Sequence, residues 1–384
     1  MKKISVVLLA FLMGTVLISC FRSTLSSSIG TTWTKYPGNP VLWDGSEPSV
    51  IYDGQMFKMW YSNYTGAGVY KICYAVSTDG VDWTLRGVVL ERGEAGSWED
   101  CGVRGPEVLF DGTRYKMWYL GYRSDGRAMI GYATSSDGIV WTKYESNPVL
   151  VPGGNGGWDD WAFASEFAVI FDGMLYRMWY SGYQYFAGPA RIGAATSVDG
   201  VSWTKYSGNP VLTSGPSSWE SEHVFAGPTI MNGTHYLMWY IGQPRPHPSQ
   251  IGLATSPDGF SWSKYENNPV LGPGPPGSWD SDTVYSSCVL EKGNSLLMWY
   301  TAGNGVTGGT GLATSSAPYI LTEVDFDPDS LNLKSKGKWI TAYIELPEDY
   351  DVNDIDISSI LLNDTIPVDP SAPTSIGDYD SDGI

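Results

Sequence analysis

The chain has 384 residues, only 17% of them charged, with 17 Trp, 25 Tyr, 46 Gly and a formal charge of −18. Abundant aromatic and turn residues with few charges exclude a mainly helical protein, which would be richer in Ala, Glu and Lys, and predict many short strands. The acidity sets a repulsive field against polyanions, which argues against nucleic acid or an acidic membrane surface as a partner and favours neutral or cationic ligands.

Residues 1–20 read as a signal segment, with Lys2 and Lys3 followed by an apolar run from Ile4 to Ile18 and then Ser19-Cys20. The run is shorter than the ~20 apolar residues of a spanning helix. Leu17-Ile18-Ser19-Cys20 resembles the lipobox of bacterial lipoproteins, which implies acylation at Cys20, a lipid anchor as the only membrane attachment, and display at the cell surface or periplasmic face. Ordinary secretion with an incidental Cys20 is the alternative. Residues 21–30 form a linker. Cys73, Cys101 and Cys288 have no framework spacing and read as core or strand residues rather than disulfide partners.

From residue 31 a repeat dominates. Met-Trp-Tyr begins at Met59, Met117, Met178, Met238 and Met298, at spacings of 58, 61, 60 and 60 residues. Around each copy lie four apolar runs divided by turns. One set of turns is Asp53-Gly54, Asp111-Gly112, Asp172-Gly173, Asn232-Gly233 and Lys292-Gly293; a second is Asp79-Gly80, Asp137-Gly138, Asp199-Gly200 and Asp258-Gly259. Such pairs supply the positive φ angles of short hairpins. Four antiparallel strands per unit and five units predict an all-β fold, a five-bladed β-propeller over residues 31–318.

The fourth run of each unit opens with Trp33, Trp83, Trp141, Trp203 or Trp262. The first of these precedes blade 1, and the last blade has none after it. The segment "TTWTKYPGNPVL" at 31–42 is therefore expected to complete blade 5 and close the ring. Residues 319–384 turn acidic, and the alternation in "KWITAYIEL" predicts a strand of a small C-terminal β domain. Asp378, Asp380 and Asp382 carry the spacing of a calcium loop but not its later carboxylate, so this reads as a partial calcium site in a chain expected to continue beyond residue 384.

Propeller ligands usually sit over the central channel, at the loops leading into the innermost strands. These loops share a Trp and an acid: Trp98-Glu99, Trp158-Asp159, Trp219-Glu220 and Trp279-Asp280, with Trp43-Asp44 in blade 1. A feature repeated in every blade reads as packing. Catalysis breaks the symmetry, and the position six residues before the first turn holds Glu47, Gly105, Glu166, Ala226 and Ser286. His223, His235 and His247 lie in no metal-binding spacing; His223, at the blade 4 entrance, is the one placed to touch a ligand.

At these positions the chain resembles the five-bladed propeller glycosidases of the arabinanase, levansucrase and invertase type, glycoside hydrolase families 43 and 32. The resemblance covers residues 31 to about 318 and rests on phrases such as "YKMWYLGY", "IGYATSSDG" and "WTKYESNPVL". It implies a carboxylate pair acting on a neutral oligo- or polysaccharide without a cofactor, by a monomeric protein. The family pattern of Asp-Pro, Arg-Asp-Pro and Glu maps onto Glu47-Pro48, Arg104-Gly105-Pro106 and Glu166. Glu replaces Asp at the first position and Gly replaces Asp at the second.

By that resemblance Glu166 is the acid, with Phe163 and Phe167 as apolar walls, and Glu47 is the base or nucleophile. Asp100 or Glu107 would substitute for the acid missing at Gly105, and Arg104 would orient a carboxylate or bind substrate oxygens. Trp43, Trp161, Tyr183 and Tyr185 are candidate platforms for the C–H faces of sugars, with blade filler as the alternative for each. The vacancy at Gly105 leaves a second reading open, a glycan-binding or interaction propeller without catalysis.

Overall fold

The computed structural model describes residues 29–316 except 66–68, 185–187, 233–234, 246–247 and 294, together with six short strands outside that span. Cys20, Tyr185, His247 and Asp378, Asp380 and Asp382 lie outside the described residues.

The chain divides into two compact units, and Gly30–Met231 with His235–Ser316 is one of them. It is the five-bladed propeller. Blade 1 consists of Gly45–Tyr52, Phe57–Thr65, Val69–Ser77 and Thr84–Leu90. Blade 2 consists of Gly102–Phe110, Tyr115–Tyr122, Ala128–Ser135 and Thr142–Lys143, and blade 3 of Ala162–Phe171, Tyr176–Tyr183, Arg191–Ser197 and Thr204–Lys205. In blade 4 the inner strand is split into His223–Phe225 and Thr229–Asn232, followed by His235–Gln243, Gln250–Ser256 and Ser263–Lys264. Blade 5 takes Thr283–Lys292, Ser295–Gly303 and Gly308–Ser316 from the end of the ring.

Its outer edge comes from the N-terminal segment. Thr34 pairs with Thr314 and Lys35 with Ala313, and further along Leu42 pairs with Thr310 and Trp43 with Gly309. The closure expected from the displaced Trp33 is therefore present.

Tryptophans join the blades. Trp60, Trp118, Trp179, Trp239 and Trp299 of the second strands are fully buried, and a buried indole N–H needs an acceptor. Each donates to a glycine carbonyl in the turn of the next blade: Trp60 to Gly138, Trp118 to Gly200, Trp179 to Gly259 and Trp299 to Gly80, all at 2.7–2.9 Å. Trp239 reaches Gly30 at 2.9 Å, so the N-terminal segment supplies the fifth acceptor. The outer-strand tryptophan of the receiving blade donates to the same oxygen, as Trp33 does to Gly30 at 2.8 Å and Trp141 to Gly138 at 3.0 Å. The two rings meet nearly at right angles with centroids 5.6–6.2 Å apart. Burying each second-strand indole contributes on the order of 4–6 kcal/mol of transfer free energy.

The acids that follow the entrance tryptophans latch each blade to its own outer strand. Buried Glu99, Asp159, Glu220 and Asp280 pair with Lys143, Lys205, Lys264 and Lys35 at 2.5–2.7 Å. Tyr180 and Tyr240 add hydroxyl donors to Asp159 and Glu220. Blade 1 has Leu85 where the others have lysine, and Asp44 makes no such pair. The packing reading of these Trp-acid motifs is thus the one the geometry supports. Cys73, Cys101 and Cys288 are free thiols; Cys73 is buried and Cys288 partly so, while Cys101 is exposed at an entrance loop.

In the other unit Glu323–Asp327, Ile340–Glu345, Lys3–Leu8 and Ser375–Gly377 form a four-stranded antiparallel sheet in that order, and Leu361–Leu362 pairs with Ile366–Pro367. The strand expected in "KWITAYIEL" is Ile340–Glu345.

Candidate active site

The Asp-Gly turns lie at one end of the strands, so the entrance loops and the loops between second and third strands share the other end, which is the mouth. Near this end the inner strands lose regular pairing. Register shifts fall between Ser46 and Ser49, Arg104 and Glu107, Phe163 and Phe167, and Tyr285 and Ser287, and blade 4 breaks its strand after Phe225. Bulges re-aim side chains, and Pro48 and Pro106 enforce two of them by withholding an N–H. Glu47, Gly105, Glu166, Ala226 and Ser286 all sit in these irregular stretches.

The mouth is a cavity of about 790 Å³ lined by blades 2 to 5. Arg104, Trp161, Glu166, Tyr183 and His223 all line it, so five of the residues singled out in the sequence meet there. Beneath it a cavity of about 20 Å³, the space of roughly one water, is bounded by Glu47, Gly105, Glu107, Ser165, Glu166 and Ala226 among others. Glu166 is the carboxylate common to both spaces.

Glu47 is buried and fully engaged. Arg104 donates from Nε to Oε2 at 3.0 Å and from a second guanidinium nitrogen to Oε1, closing a bidentate pair. Gly105 N–H (3.0 Å) and Ser62 Oγ (2.6 Å) donate to Oε2, and Ser165 Oγ donates to Oε1 at 2.7 Å. These donors fill the lone-pair directions of the two oxygens. Glu47 also holds a left-handed backbone with φ of 53°, a conformation that costs a non-glycine residue about 1–2 kcal/mol; the donor set from three blades fixes it there.

Arg104 separates Glu47 from the mouth. Its guanidinium lies 4.6 Å from the Tyr70 ring centre and 5.7 Å from that of Tyr122. Gly105 has φ of +57°, and a Cβ there would stand 2.6 Å from the Ser165 carbonyl oxygen. The longer Glu47 places its carboxylate against the Gly105 N–H, so the position where the resemblance implies an aspartate has no room for one.

The remaining candidates divide. Asp100 lines neither cavity; it accepts from the Gly96 and Ser124 N–H groups at 3.1 and 2.8 Å and ties two loops together. Its placement is that of a loop brace, not of a substitute acid. Glu107 faces the inner cavity, where Val169 N–H lies 3.5 Å away, and burial pushes its carboxyl up to about 8. Trp43 is 54% exposed, packs edge-on against Trp279 at 6.3 Å and lines neither cavity. Trp161 forms the blade 3 wall, with the Arg127 guanidinium 5.8 Å from its ring centre. Phe163 and Phe167 join the buried cluster between blades, each also meeting one cavity wall.

Around Glu166 stand Tyr122, Tyr183 and Tyr285. Burial, joined by the nearby Glu166 charge, pushes all three hydroxyls above the usual phenol range, so they remain donors. His223 accepts the Ala190 N–H on Nδ1 at 3.0 Å, which leaves Nε2 as the proton-bearing nitrogen of the neutral ring, 3.7 Å from Glu222. Sequence reasoning missed Asp282, Arg245, Gln243 and Tyr285 of this cavity. A signal for Asp282 existed: the third residue after each entrance tryptophan is Cys101, Trp161, Glu222 or Asp282, a second position that breaks symmetry at the mouth. Among the described residues no cluster of His, Cys, Asp and Glu is arranged to hold a metal ion.

No family model matches the chain. An uncharacterised protein of Mycobacterium tuberculosis is 28% identical over 274 residues, covering 67% of this chain and 87% of that protein. Among solved structures, a glycoside hydrolase superposes with a TM-score of 0.61 at 19% identity, covering 78% of this chain and 92% of that one. A thermostable family-43 glycoside hydrolase gives 0.58 at 18% (79% and 97% covered), and the β-1,2-mannobiose phosphorylase of Listeria innocua 0.60 at 14% (74% and 97% covered). At these identities the likeness establishes a shared five-bladed fold.

Proposed function

We propose that the chain is a glycoside hydrolase-type propeller whose mouth takes a neutral oligo- or polysaccharide and whose proton donor is Glu166. The observation that carries this is the placement of Glu166, a carboxyl group with no side-chain partner among the described residues, between the mouth and the inner cavity and ringed by three tyrosines and Arg104. Trp161 offers the flat apolar surface that sugar C–H faces need. The solved glycosidases and the phosphorylase of the same fold support a glycan ligand.

In this reading Glu166 protonates the leaving oxygen. Arg104, held by Glu47 and flanked by Tyr70 and Tyr122, is a fixed cation at the floor that orients substrate oxygens; Glu47 then acts as a positioning residue, not as the base. A second reading, glycan binding without turnover, is favoured by the saturation of Glu47 and the closure of the space at Gly105. Wild type and Glu166→Gln, tested on arabinan, fructan, xylan and mannan, separate the two. Hydrolysis by the wild type, lost by about 10²–10⁴-fold in the variant with affinity kept, supports the enzyme; affinity without hydrolysis in either protein supports the binding module.

We also propose that Cys20 carries a lipid anchor, as its lipobox-like setting implies. Processing there would remove the Lys3–Leu8 strand from the mature protein. Cys20→Ala should move the protein from the membrane fraction to the soluble one, and an unacylated wild type already free in the medium would refute the anchor.

A further inference from the structure

Hydrolysis with one proton donor is incomplete, because a second carboxylate must take the proton from the attacking water or attack the sugar itself. Glu47 has no free lone pair and lies behind Arg104. Glu222 is engaged by Arg245 at 2.8 Å and neighbours His223. Asp100 lies off the cavity, and Glu107 is confined to the inner one. One carboxylate of the mouth remains.

Resting on the hydrolase reading, we propose that Asp282 is the general base, and that Glu166 and Asp282 form the catalytic pair. Asp282 is exposed at the start of the blade 5 inner strand and lines the mouth cavity opposite blade 3. Its backbone N–H bonds to the Gly303 carbonyl at 3.1 Å, which anchors the residue, while its carboxylate has no hydrogen bond or ion pair among the described residues. The chain beside it is "GNGVTGG", residues 303–309, and Gly305 leaves the carboxylate uncovered; even an added Cβ there would stand 3.6 Å from Oδ2.

A second observation points to a ligand at the same spot. Thr283, the next residue, also lines the mouth, and its Oγ1 is buried with no partner. A buried hydroxyl left without a partner is destabilising, and a substrate hydroxyl in the mouth would satisfy it.

The step balances without any other reagent. A water oxygen attacks the anomeric carbon as Asp282 takes one of its protons; the glycosidic C–O bond breaks as Glu166 passes its proton to the departing oxygen. Asp282 then loses its proton to bulk water and Glu166 regains one. Because Asp282 acts here as a base on water and not as a nucleophile on the sugar, the proposal requires inversion at the anomeric carbon.

The test uses the full-length protein and the sugar that the wild type releases from the four-polysaccharide panel, supplied as its oligosaccharide and as its 2,4-dinitrophenyl glycoside. A dinitrophenolate leaves without protonation, so Glu166→Gln should lose far less on that substrate than on the oligosaccharide. Asp282→Asn should lose about 10²–10⁴-fold on both, with an unchanged melting temperature because the side chain is exposed and unpaired. NMR should show the first-formed sugar with inverted configuration. Wild-type turnover together with an Asp282→Asn variant of near-normal rate, or a retained product configuration, would overturn this assignment alone. A wild type that hydrolyses nothing would instead overturn the hydrolase reading on which it rests.

Discussion

Glu107 makes the most quantitative forecast. It is enclosed at the inner cavity and its carboxyl is raised from an ordinary 4.5 to about 8, burial being the dominant cause and the Val169 N–H a weak counterweight. Between these two values the folded protein binds a proton that the unfolded chain does not. Its contribution to stability is therefore whole below about pH 4.5 and is lost as pH rises through 8. The window spans about three and a half pH units at ~1.4 kcal/mol each, an upper figure of about 5 kcal/mol.

Asp53 and Asp258 are held down to about 2 and Cys288 is pushed up to about 12, outside this window. Burial also raises the Glu99 carboxyl, against the pull of Lys143, but that group is common to wild type and variant and cancels in their comparison. Glu107→Gln keeps the shape and removes the titration. Urea unfolding of both proteins at half-unit steps from pH 5 to 8.5 should show the wild type losing stability relative to the variant, by up to about 4 kcal/mol across the range. Parallel profiles would refute the claim that Glu107 is held neutral in the folded protein.

Deleting residues 21–42 removes the Gly30 acceptor of Trp239, the indole of Trp33 and the Lys35 partner of buried Asp280. Stranding that charge alone costs about 3–5 kcal/mol, so thermal melting should fall for the whole ring; an unchanged, monomeric melt would refute closure by this segment. Gly105→Ala combines a left-handed backbone with a Cβ 2.6 Å from the Ser165 carbonyl, and should cost about 2–4 kcal/mol in chemical denaturation. Gly105→Asp should likewise destabilise rather than restore an acid, and a stable, more active aspartate variant would contradict the steric account.

The propeller was legible because its determinants are local and periodic. The spacing of Met-Trp-Tyr, the Asp-Gly turns and the displaced Trp33 each report a hydrogen-bonded position within one or two strands. The packing role of Trp98-Glu99 and its counterparts was legible too, since "WTKY" repeats in step with them and supplies the lysine. The aligned set of Glu47, Gly105 and Glu166 did locate the irregular stretches at the channel. What those side chains meet was hidden, because Glu47 is held by Ser62, Arg104, Gly105 and Ser165 from three blades, and no sequence interval encodes such a convergence. Asp282 was overlooked for a different reason. It lies two places beyond Asp280 of the repeated latch, at a position outside both the Trp-acid motif and the set aligned on the first turns.

The central claim is that the mouth binds a glycan with its scissile bond at Glu166. A crystal structure of Glu166→Gln with the oligosaccharide that the wild type cleaves tests it most directly. The account predicts a sugar ring on the face of Trp161, the residue 166 amide within hydrogen-bonding reach of the glycosidic oxygen, and Arg104 still clamped to Glu47 below. A sugar bound outside this cavity, or one whose glycosidic oxygen points away from residue 166, would contradict it.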